Sequence, residues 1–297
     1  MDPLEATQSN LPGIDPTTET EQDLKEFEAE VAAQHPSRRR KYFGWLLSDE
    51  AARWTARLAA LGIWVIAAAM FDRIPTPWGT FNFIIDEAQR GELWGPIWVT
   101  LKRAIIGLSI VLVLGTILGF LMGRFWPIRY LTTDLVMAAI ALPAFIWALL
   151  AVMWFGFSET APIFVCVVSA TPMLVVNTRE GAAAVDHQLS KMSAAYKVSK
   201  VKEFRHLVLP TMSEYIFAGF RVAVLAGWGA ILLVEWFGNG SGMGWRAQYW
   251  YDGLNFNGML GWGVLMLIVI VSIDRLIMQP ALNRTRRWRA REDQAWS

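Results

Sequence analysis

Six long apolar runs constrain what this chain can fold into more than any other feature. A helix needs about 20 apolar residues to cross the hydrocarbon core of a bilayer. Runs of that kind are predicted as spans one to six at 54–72, 97–122, 133–156, 160–178, 211–236 and 258–279. The second run is rich in glycine, which lets helices approach closely. The sequence therefore predicts an all-α integral membrane protein with six transmembrane helices.

The composition agrees with a membrane protein and excludes some sites. Only 18% of the residues are charged, against about a quarter in ordinary soluble domains, and 16 are tryptophan. The single cysteine, Cys166, cannot form an internal disulfide or a multi-thiolate metal site, and we expect it to be buried between helices. The three histidines show no metal-ligand spacing, so no metal site is predicted.

The distribution of Lys and Arg predicts the orientation. Basic residues concentrate in segments that lie on one side if the N-terminus is cytoplasmic, including RRRK at 38–41 and the tail from Arg284 to Arg291. No secretory signal opens the chain, because residues 1–35 are polar and lack an apolar core. Both termini are therefore expected in the cytoplasm.

Four regions are predicted along the chain. Residues 1–50 form a cytoplasmic extension, partly disordered, with a short amphipathic helix near 20–34. Residues 51–94 hold the first span and an outer interfacial segment, 95–280 form the transmembrane core, and 281–297 are a basic cytoplasmic tail. A second outer segment, 238–258, is rich in glycine and aromatic residues and could cap a pore mouth or dip into it.

A polar, lysine-rich segment at 180–210 separates spans four and five and lies on the predicted cytoplasmic side. Residues 187–196 and 200–208 are each predicted as a short amphipathic helix, with a joint near 196–199. Their apolar faces carry Leu189, Met192, Tyr196, Val201, Phe204 and Val208. One interpretation is a hairpin that covers the inner mouth without a partner; the other is a docking surface.

The segment resembles the cytoplasmic "EAA" loop of ATP-binding-cassette (ABC) importer permeases, which closes with an apolar-x-Leu-Pro signature, here LVLP at 207–210. NTREG at 177–181 followed by VD at 185–186, and WFG at 154–156, are similar to the nitrate/taurine/sulfonate class. Glu235 and the following GNGSGMG at 238–244 are similar to the family's glutamate and glycine-rich loop. The resemblance covers about residues 95–280 and implies the type I importer permease fold.

The resemblance also implies roles for individual residues. A coupling loop would dock in a groove of the ATPase, formed by His187, Leu189, Lys191, Met192, Ser193, Ala194, Ala195, Tyr196, Lys197, Val198, Phe204, Leu209 and Pro210. Candidates for the translocation pathway are Arg103, Trp147, Trp154, Trp228, Glu235 and Ser241. The chain departs from the family pattern where Lys191 replaces a glutamate, Lys197 a glycine and Leu149 a proline.

Ionisable residues near the spans divide into two groups. Glu235 is predicted to be functional, and Arg103 either attracts an anionic solute or pairs with a carboxylate. Asp134, Glu159, Arg221 and Asp274 lie at predicted helix ends and are assigned mainly to snorkelling. The four tryptophans among the pathway candidates either line the route or anchor the chain in lipid.

No phosphate-binding loop occurs in the sequence, so no cofactor is expected on this chain and no catalytic residue is predicted. The resemblance implies that ATP and Mg²⁺ bind to two partner ATPase subunits, with a second permease chain and a periplasmic solute-binding protein completing an importer in the bacterial inner membrane. Membrane lipids are further partners, and no nucleic acid is expected. The implied solute is a small anion or zwitterion such as a sulfonate, taurine or nitrate. The alternatives are an ion-coupled secondary transporter and a non-transporting membrane subunit.

Overall fold

The computed structural model describes residues 49–71, 73–238 and 240–282, with only the backbone described at 49–53. Within these ranges the chain is helical and has no strand. The predicted helix at 20–34, the basic cluster at 38–41 and the basic tail lie outside the described residues. The chain divides into two compact units, Met1–Ile66 and Ala67–Ser297, and each is described by itself.

The α-helices of the described ranges are numbered here in chain order. They are α1 Asp49–Met70, α2 Pro77–Gln89, α3 Trp94–Arg124, α4 Trp126–Ala141, α5 Ala144–Phe155, α6 Thr160–Ala183, α7 His187–Ala195, α8 Lys200–Glu203, α9 Leu209–Trp236, α10 Met243–Asp252 and α11 Phe256–Ile273. Single π-helical turns follow α8 at Phe204–Val208 and α11 at Asp274–Met278.

Four of the described helical stretches are long and apolar enough to cross a membrane: Trp94–Arg124, Thr160–Ala183, Lys200–Trp236 and Phe256–Leu282. The number rises to five if α4 and α5 count together as one broken span. The apolar part of α1, Trp54–Met70, is shorter. A multi-pass helical membrane protein is thus established, while the count of six spans stays a prediction.

The third predicted span, 133–156, is not the single continuous helix that was expected. The structure contains two helices, α4 and α5, which meet at an angle of 95°. Leu142 and Pro143 between them have ψ angles of 123° and 140°, outside the helical region. Proline has no N–H to donate and disfavours helical geometry at the preceding residue, so the helix breaks here instead of kinking gently.

Helix α6 lies between α3 and α9 and packs closely against both. Gly107, Gly115, Gly119 and Gly123 of α3 face Cys166, Leu174, Thr178 and Ala182 of α6, at a constant offset of 59 residues. A β-carbon at Gly115 would stand 2.7 Å from Leu174 Cδ2, so only glycine permits this approach. The constant offset means that α3 and α6 run parallel and in register. The buried Cys166 also confirms its predicted place between helices.

Helix α9 packs on the other side of α6 and runs antiparallel to it. Gly219 of α9 faces Asn177 of α6, and Gly181 of α6 faces Tyr215 of α9. Following the predicted orientation, we call the end where α3 and α6 begin and α9 finishes the outer end. The opposite end, where α6 leads into α7, is the inner end.

Candidate functional site

A cluster of charged and polar side chains joins three helices and the glycine-rich loop at the outer end. We call it the outer charge cluster and define it as Thr100, Arg103, Glu159, Glu235 and Ser241. Thr100 and Arg103 lie on α3, Glu159 precedes α6, Glu235 lies at the end of α9, and Ser241 follows it in the loop. Thr100, Arg103 and Glu235 are fully buried. Buried charges require full hydrogen bonding, and this cluster supplies it.

The Glu235 carboxylate is held by three residues from two helices, α3 and α10. Arg103 Nη1 donates to Oε1 at 2.7 Å, and the backbone N–H of Gly244 donates to Oε2 at 3.0 Å. The Thr100 hydroxyl, 2.9 and 3.0 Å from the two oxygens, also donates to the carboxylate. Thr100 in turn accepts the N–H of Met243 at 2.9 Å. Glu235 therefore fixes the glycine-rich loop and the start of α10 against α3.

All five N–H donors of Arg103 have acceptors. Besides its bond to Glu235, Nη1 donates to the Ser241 carbonyl at 3.0 Å. Nε and Nη2 donate to the two oxygens of Glu159 at 3.1 and 2.5 Å, and Nη2 also lies 2.7 Å from the Ser241 hydroxyl. Of the two interpretations of Arg103, the structure shows pairing with carboxylates, one on each edge of the guanidinium group.

The hydrogen bond from Arg103 holds the pKa of the Glu159 carboxyl below its usual value, against the opposing effect of desolvation. A lowered pKa means that this ion pair contributes fully above the ordinary range of a glutamate. Its contribution is lost only as the pH falls through the lowered value. The pair is therefore intact at neutral pH.

Two glycines of the loop are required by the cluster. Gly242 has φ +100° and ψ 175°, and a β-carbon there would collide with the Glu235 carboxylate. A β-carbon at Gly244 would meet the Leu232 carbonyl and the Glu235 side chain. The glycine-rich run thus has a steric reason, because the backbone must pass directly over a buried carboxylate.

The six pathway candidates do not all lie together. The structure brings Arg103, Glu235 and Ser241 into contact, whereas Trp147 and Trp154 lie on α5. Trp228 on α9 is buried in the core with Ile231 and Trp262. Their roles in translocation stay predictions. Thr100 carried no signal in the sequence beyond its position one turn before Arg103, and it was missed.

Three residues assigned to snorkelling are instead paired, so that assignment is wrong for them. Glu159 binds Arg103, as described. Arg221 on α9 forms a bidentate ion pair with Asp274 after α11, at 2.6 and 2.8 Å, and Gln279 adds a 3.1 Å bond. An ion pair within reach costs less than a charge left alone in an apolar setting, so the partners turn toward each other.

A further arginine ties the two outer segments together. Arg246 of α10 donates to Glu87 of α2 at 2.9 Å and to Glu92 at 3.2 Å. Its guanidinium carbon lies 5.6 to 6.0 Å from the ring centroids of Tyr249, Trp250 and Trp262. Glu87 is buried and Glu92 is half exposed. The predicted interfacial segment is thus fixed to the loop that follows Glu235.

The residues between α6 and α9 form a compact helical hairpin, defined as 187–208, at the inner end. The Asp186 carboxylate caps α7 by accepting the N–H of Gln188 at 2.7 Å. The first seven coupling-loop candidates, His187 to Ala195, lie on α7, Tyr196 to Val198 form the joint, and Phe204 begins the π-helical turn. Leu209 and Pro210 open α9, where a missing N–H costs nothing.

Glu203 holds the two arms of the hairpin together, although its sequence position gave no reason to select it. Its carboxylate accepts the Ser190 hydroxyl at 2.6 Å from α7 and the Lys200 ammonium at 2.8 Å from α8. The next residue, Phe204, packs edge-on against Phe120 of α3, with ring centroids 5.5 Å apart. The hairpin is therefore fixed internally and attached to α3.

Most of the apolar side chains predicted for the hairpin are exposed, whereas Phe204 packs against α3 and Val208 is half-buried. Tyr196 and Val201 are 78% and 76% exposed, and Leu189, Met192 and Val198 are also exposed. Lys197 at the joint has φ +53°, the left-handed region that a side chain disfavours by about 1–2 kcal/mol. The backbone geometry expected of a glycine is thus kept with a lysine in its place.

The described residues contain no group of three or more His, Cys, Asp or Glu side chains that could hold a metal ion. The described residues thus form buried ion pairs and a glycine-rich loop held by Glu235 at the outer end, and an exposed hairpin at the inner end.

Known proteins share this arrangement of sequence and fold. The family described as binding-protein-dependent transport system inner membrane component matches residues 112–284. The chain is 31% identical over 210 residues to the putative aliphatic sulfonates transport permease protein SsuC of Escherichia coli, covering 69% of this chain and 78% of that protein. It is 26% identical to the nitrate import permease protein NrtB of Leptolyngbya laminosa, covering 62% of this chain and 69% of that protein.

A solved structure shows the same fold at low sequence identity. The MetNI methionine ABC transporter, in inward-facing conformations, superposes with a TM-score of 0.55 at 18% identity, covering 64% of this chain and 93% of the matched chain. The family match spans more than half of this sequence and includes Glu235, the glycine-rich loop and the hairpin. The chain belongs to the binding-protein-dependent transport system inner membrane components, the permease subunits of ABC importers.

Proposed function

We propose that this chain forms the membrane pathway of an ATP-driven importer for a small anion or zwitterion, such as a sulfonate, taurine or nitrate, delivered by a periplasmic binding protein. The observation that carries the proposal is the hairpin. Two short helices, fixed to each other through Glu203, display Met192, Tyr196 and Val201 away from the spans. Apolar side chains held open on a rigid frame are typical of a surface that binds a partner.

The partner we propose is an ABC ATPase, present in two copies with a second permease chain. ATP and Mg²⁺ bind to the ATPase and no cofactor binds to this chain. Closure of the ATPase pair moves the hairpin as one piece, and the spans switch access from one side to the other. This chain thus contributes a two-state equilibrium and no catalytic step. Both termini lie in the cytoplasm.

The charge of the hairpin suggests what the ATPase surface carries. Lys191 and Lys197 stand where the related loops have a glutamate and a glycine, and both are exposed. We propose that they meet an unusually acidic groove, or that this chain is one half of an unequal permease pair. Charge reversal at Lys191 (Lys191→Glu) should weaken ATPase capture, and more at low salt than at high salt.

Reconstitution tests the proposal. The chain is placed in liposomes with its ATPase and binding protein, and residues 187–200 are replaced by a Gly-Ser linker. Uptake and solute-stimulated ATP hydrolysis should be lost, while membrane insertion stays intact. The finer variant is Tyr196→Ser, and its control is Leu254→Ser, which changes an equally exposed apolar residue at the outer end.

Three outcomes would overturn all or part of the proposal. Uptake that survives the linker replacement would remove the coupling role of the hairpin. Uptake that persists without ATP and collapses with the proton gradient would favour an ion-coupled carrier. If no solute moves under either driving force, the chain is a non-transporting membrane subunit.

A further inference from the structure

The two edges of the Arg103 guanidinium group are held in very different ways. The Nη1 edge faces Glu235 at 2.7 Å and the Ser241 carbonyl at 3.0 Å. Glu235 is fully buried and has further donors from Thr100 and Gly244. On this edge one buried positive charge meets one buried negative charge, so the pair is electrically neutral and shielded from solvent.

The Nε–Nη2 edge is held by a carboxylate that can leave. Glu159 is 54% exposed and is the most exposed member of the cluster. It lies on the short connection between α5 and α6, which begins at Gly156 with φ +63° and open space around it. The second N–H of Nη2 donates to the Ser241 hydroxyl at 2.7 Å, next to this edge and not within it. Release of Glu159 would open a fork of two N–H donors on Nε and Nη2.

The charge balance makes Glu159 the exchangeable partner. Within the outer charge cluster, Arg103 carries one positive charge and meets two carboxylates, so the second one is in excess there; Lys102 adds a positive charge near Glu159 from outside the cluster. A half-exposed ion pair contributes little to stability, whereas breaking the buried pair with Glu235 would cost several times more. A guanidinium edge binds two oxygens of one group side by side, as in carboxylates and other oxyanions.

We propose that the Nε–Nη2 edge of Arg103 is a binding site for a small oxyanion, and that Glu159 occupies it in this conformation. A carboxylate, nitrate or sulfonate arriving from the outer side takes the place of Glu159. As a step in uptake, the inference rests on the proposed function, and it names the first contact of the solute. Glu159 acts as a built-in competitor, which lowers the apparent affinity by the fraction of time it holds the edge.

Binding measurements on the full chain in lipid nanodiscs test the site. Nitrate and ethanesulfonate are titrated into the wild type and Glu159→Gln by calorimetry, with uncharged dimethyl sulfone as the control ligand. Glu159→Gln should bind both anions about fivefold more tightly, since it removes a competitor worth up to about 1 kcal/mol. The matched control is Glu92→Gln, because Glu92 is equally exposed and also pairs with an outer arginine.

Equal affinities of the wild type and Glu159→Gln would overturn the site, as would an equal gain in Glu92→Gln or for dimethyl sulfone. A second measurement needs no variant. Replacing chloride by nitrate at constant ionic strength should speed amide hydrogen exchange over 156–160 in the wild type, with no change around Glu92. Unchanged exchange at 156–160 would also overturn the proposal.

This test is separate from the test of the proposed function. The linker replacement at 187–200 leaves Glu159 and Arg103 untouched. Loss of uptake in that variant together with unchanged anion affinity in Glu159→Gln would reject the oxyanion site alone. The reverse pair of results would keep the site and remove the coupling role of the hairpin.

Discussion

The outer charge cluster and the inner hairpin are both built from ionic contacts, yet they use them in opposite ways. At the outer end, Arg103 and Glu235 are fully buried and their ion pair joins residues 132 positions apart. In the hairpin, Glu203 joins residues that lie within 13 positions and leaves apolar side chains exposed. Burial makes the first contact important for folding, whereas the second fixes a local hairpin whose apolar side chains stay exposed.

The largest expected effect is a loss of unfolding free energy that differs between the two carboxylates paired with Arg103. Glu235→Ala leaves a buried guanidinium edge without its counter-charge, which typically costs about 3–5 kcal/mol of unfolding free energy. Glu159→Ala removes a half-exposed partner and should cost less than about 1 kcal/mol. Denaturant unfolding in detergent, followed by tryptophan fluorescence, measures both. Equal losses would mean that burial does not distinguish the two edges.

The next effect lies in the glycine-rich loop. Gly242→Ala places a methyl group against the Glu235 carboxylate in a backbone region that is almost exclusive to glycine, at a cost of about 1–3 kcal/mol for strain alone. Gly240→Ala is the control, because Gly240 has φ +69° with open space around it and should cost about 1–2 kcal/mol. The melting temperature should therefore fall further in Gly242→Ala. The reverse order would contradict the steric role of this loop.

A smaller and stabilising effect is expected in the hairpin. Lys197→Gly relieves the left-handed backbone at the joint and should stabilise the hairpin by about 0.5–1 kcal/mol, after the greater freedom of glycine in the unfolded chain is deducted. Lys191→Gly, inside α7, should instead destabilise it by about 1 kcal/mol. Amide hydrogen exchange over 187–203 measures both. Faster exchange in Lys197→Gly would show that the joint is not strained.

The smallest expected effect is local. Glu203→Ala removes the bonds to Ser190 and Lys200, so α7 should exchange its amide hydrogens faster while the melting temperature of the protein is unchanged. Lys202→Ala, whose side chain takes no part in these bonds, is the control. A drop in melting temperature as large as that of Glu235→Ala would remove the contrast between the two ends of the molecule.

Much of the fold could be predicted from the sequence because apolar runs report directly on burial in lipid. The helices within the runs from 97 to 122 and from 258 to 279 are where the pattern indicated. The break at Pro143 was missed, since hydropathy alone does not show whether a proline kinks a helix or ends it. The positive φ at Lys197 agrees with the glycine that related loops have at this position, whereas no property of lysine would have suggested it.

The candidate site was only partly predictable, because the sequence does not show how far one helix is shifted along its neighbour. Glu235 and its glycines were selected because an acid beside a glycine run is unusual near a span. Thr100 contacts Glu235 across 135 residues, and Glu159 contacts Arg103 across 56. Such pairings depend on how the helices align along each other. Residue types at helix ends do not reveal that alignment, so Glu159 was assigned to snorkelling.

The constant offset of 59 residues between α3 and α6 has a genetic consequence. One residue inserted into or deleted from the matched stretch of either helix would rotate every later glycine by about 100° away from its partner. We expect insertions to be tolerated in the connections near 90 and 156 but not within 107–123 or 166–182. Natural length variation in this protein should therefore stop abruptly at those two stretches, whatever solute a given copy carries.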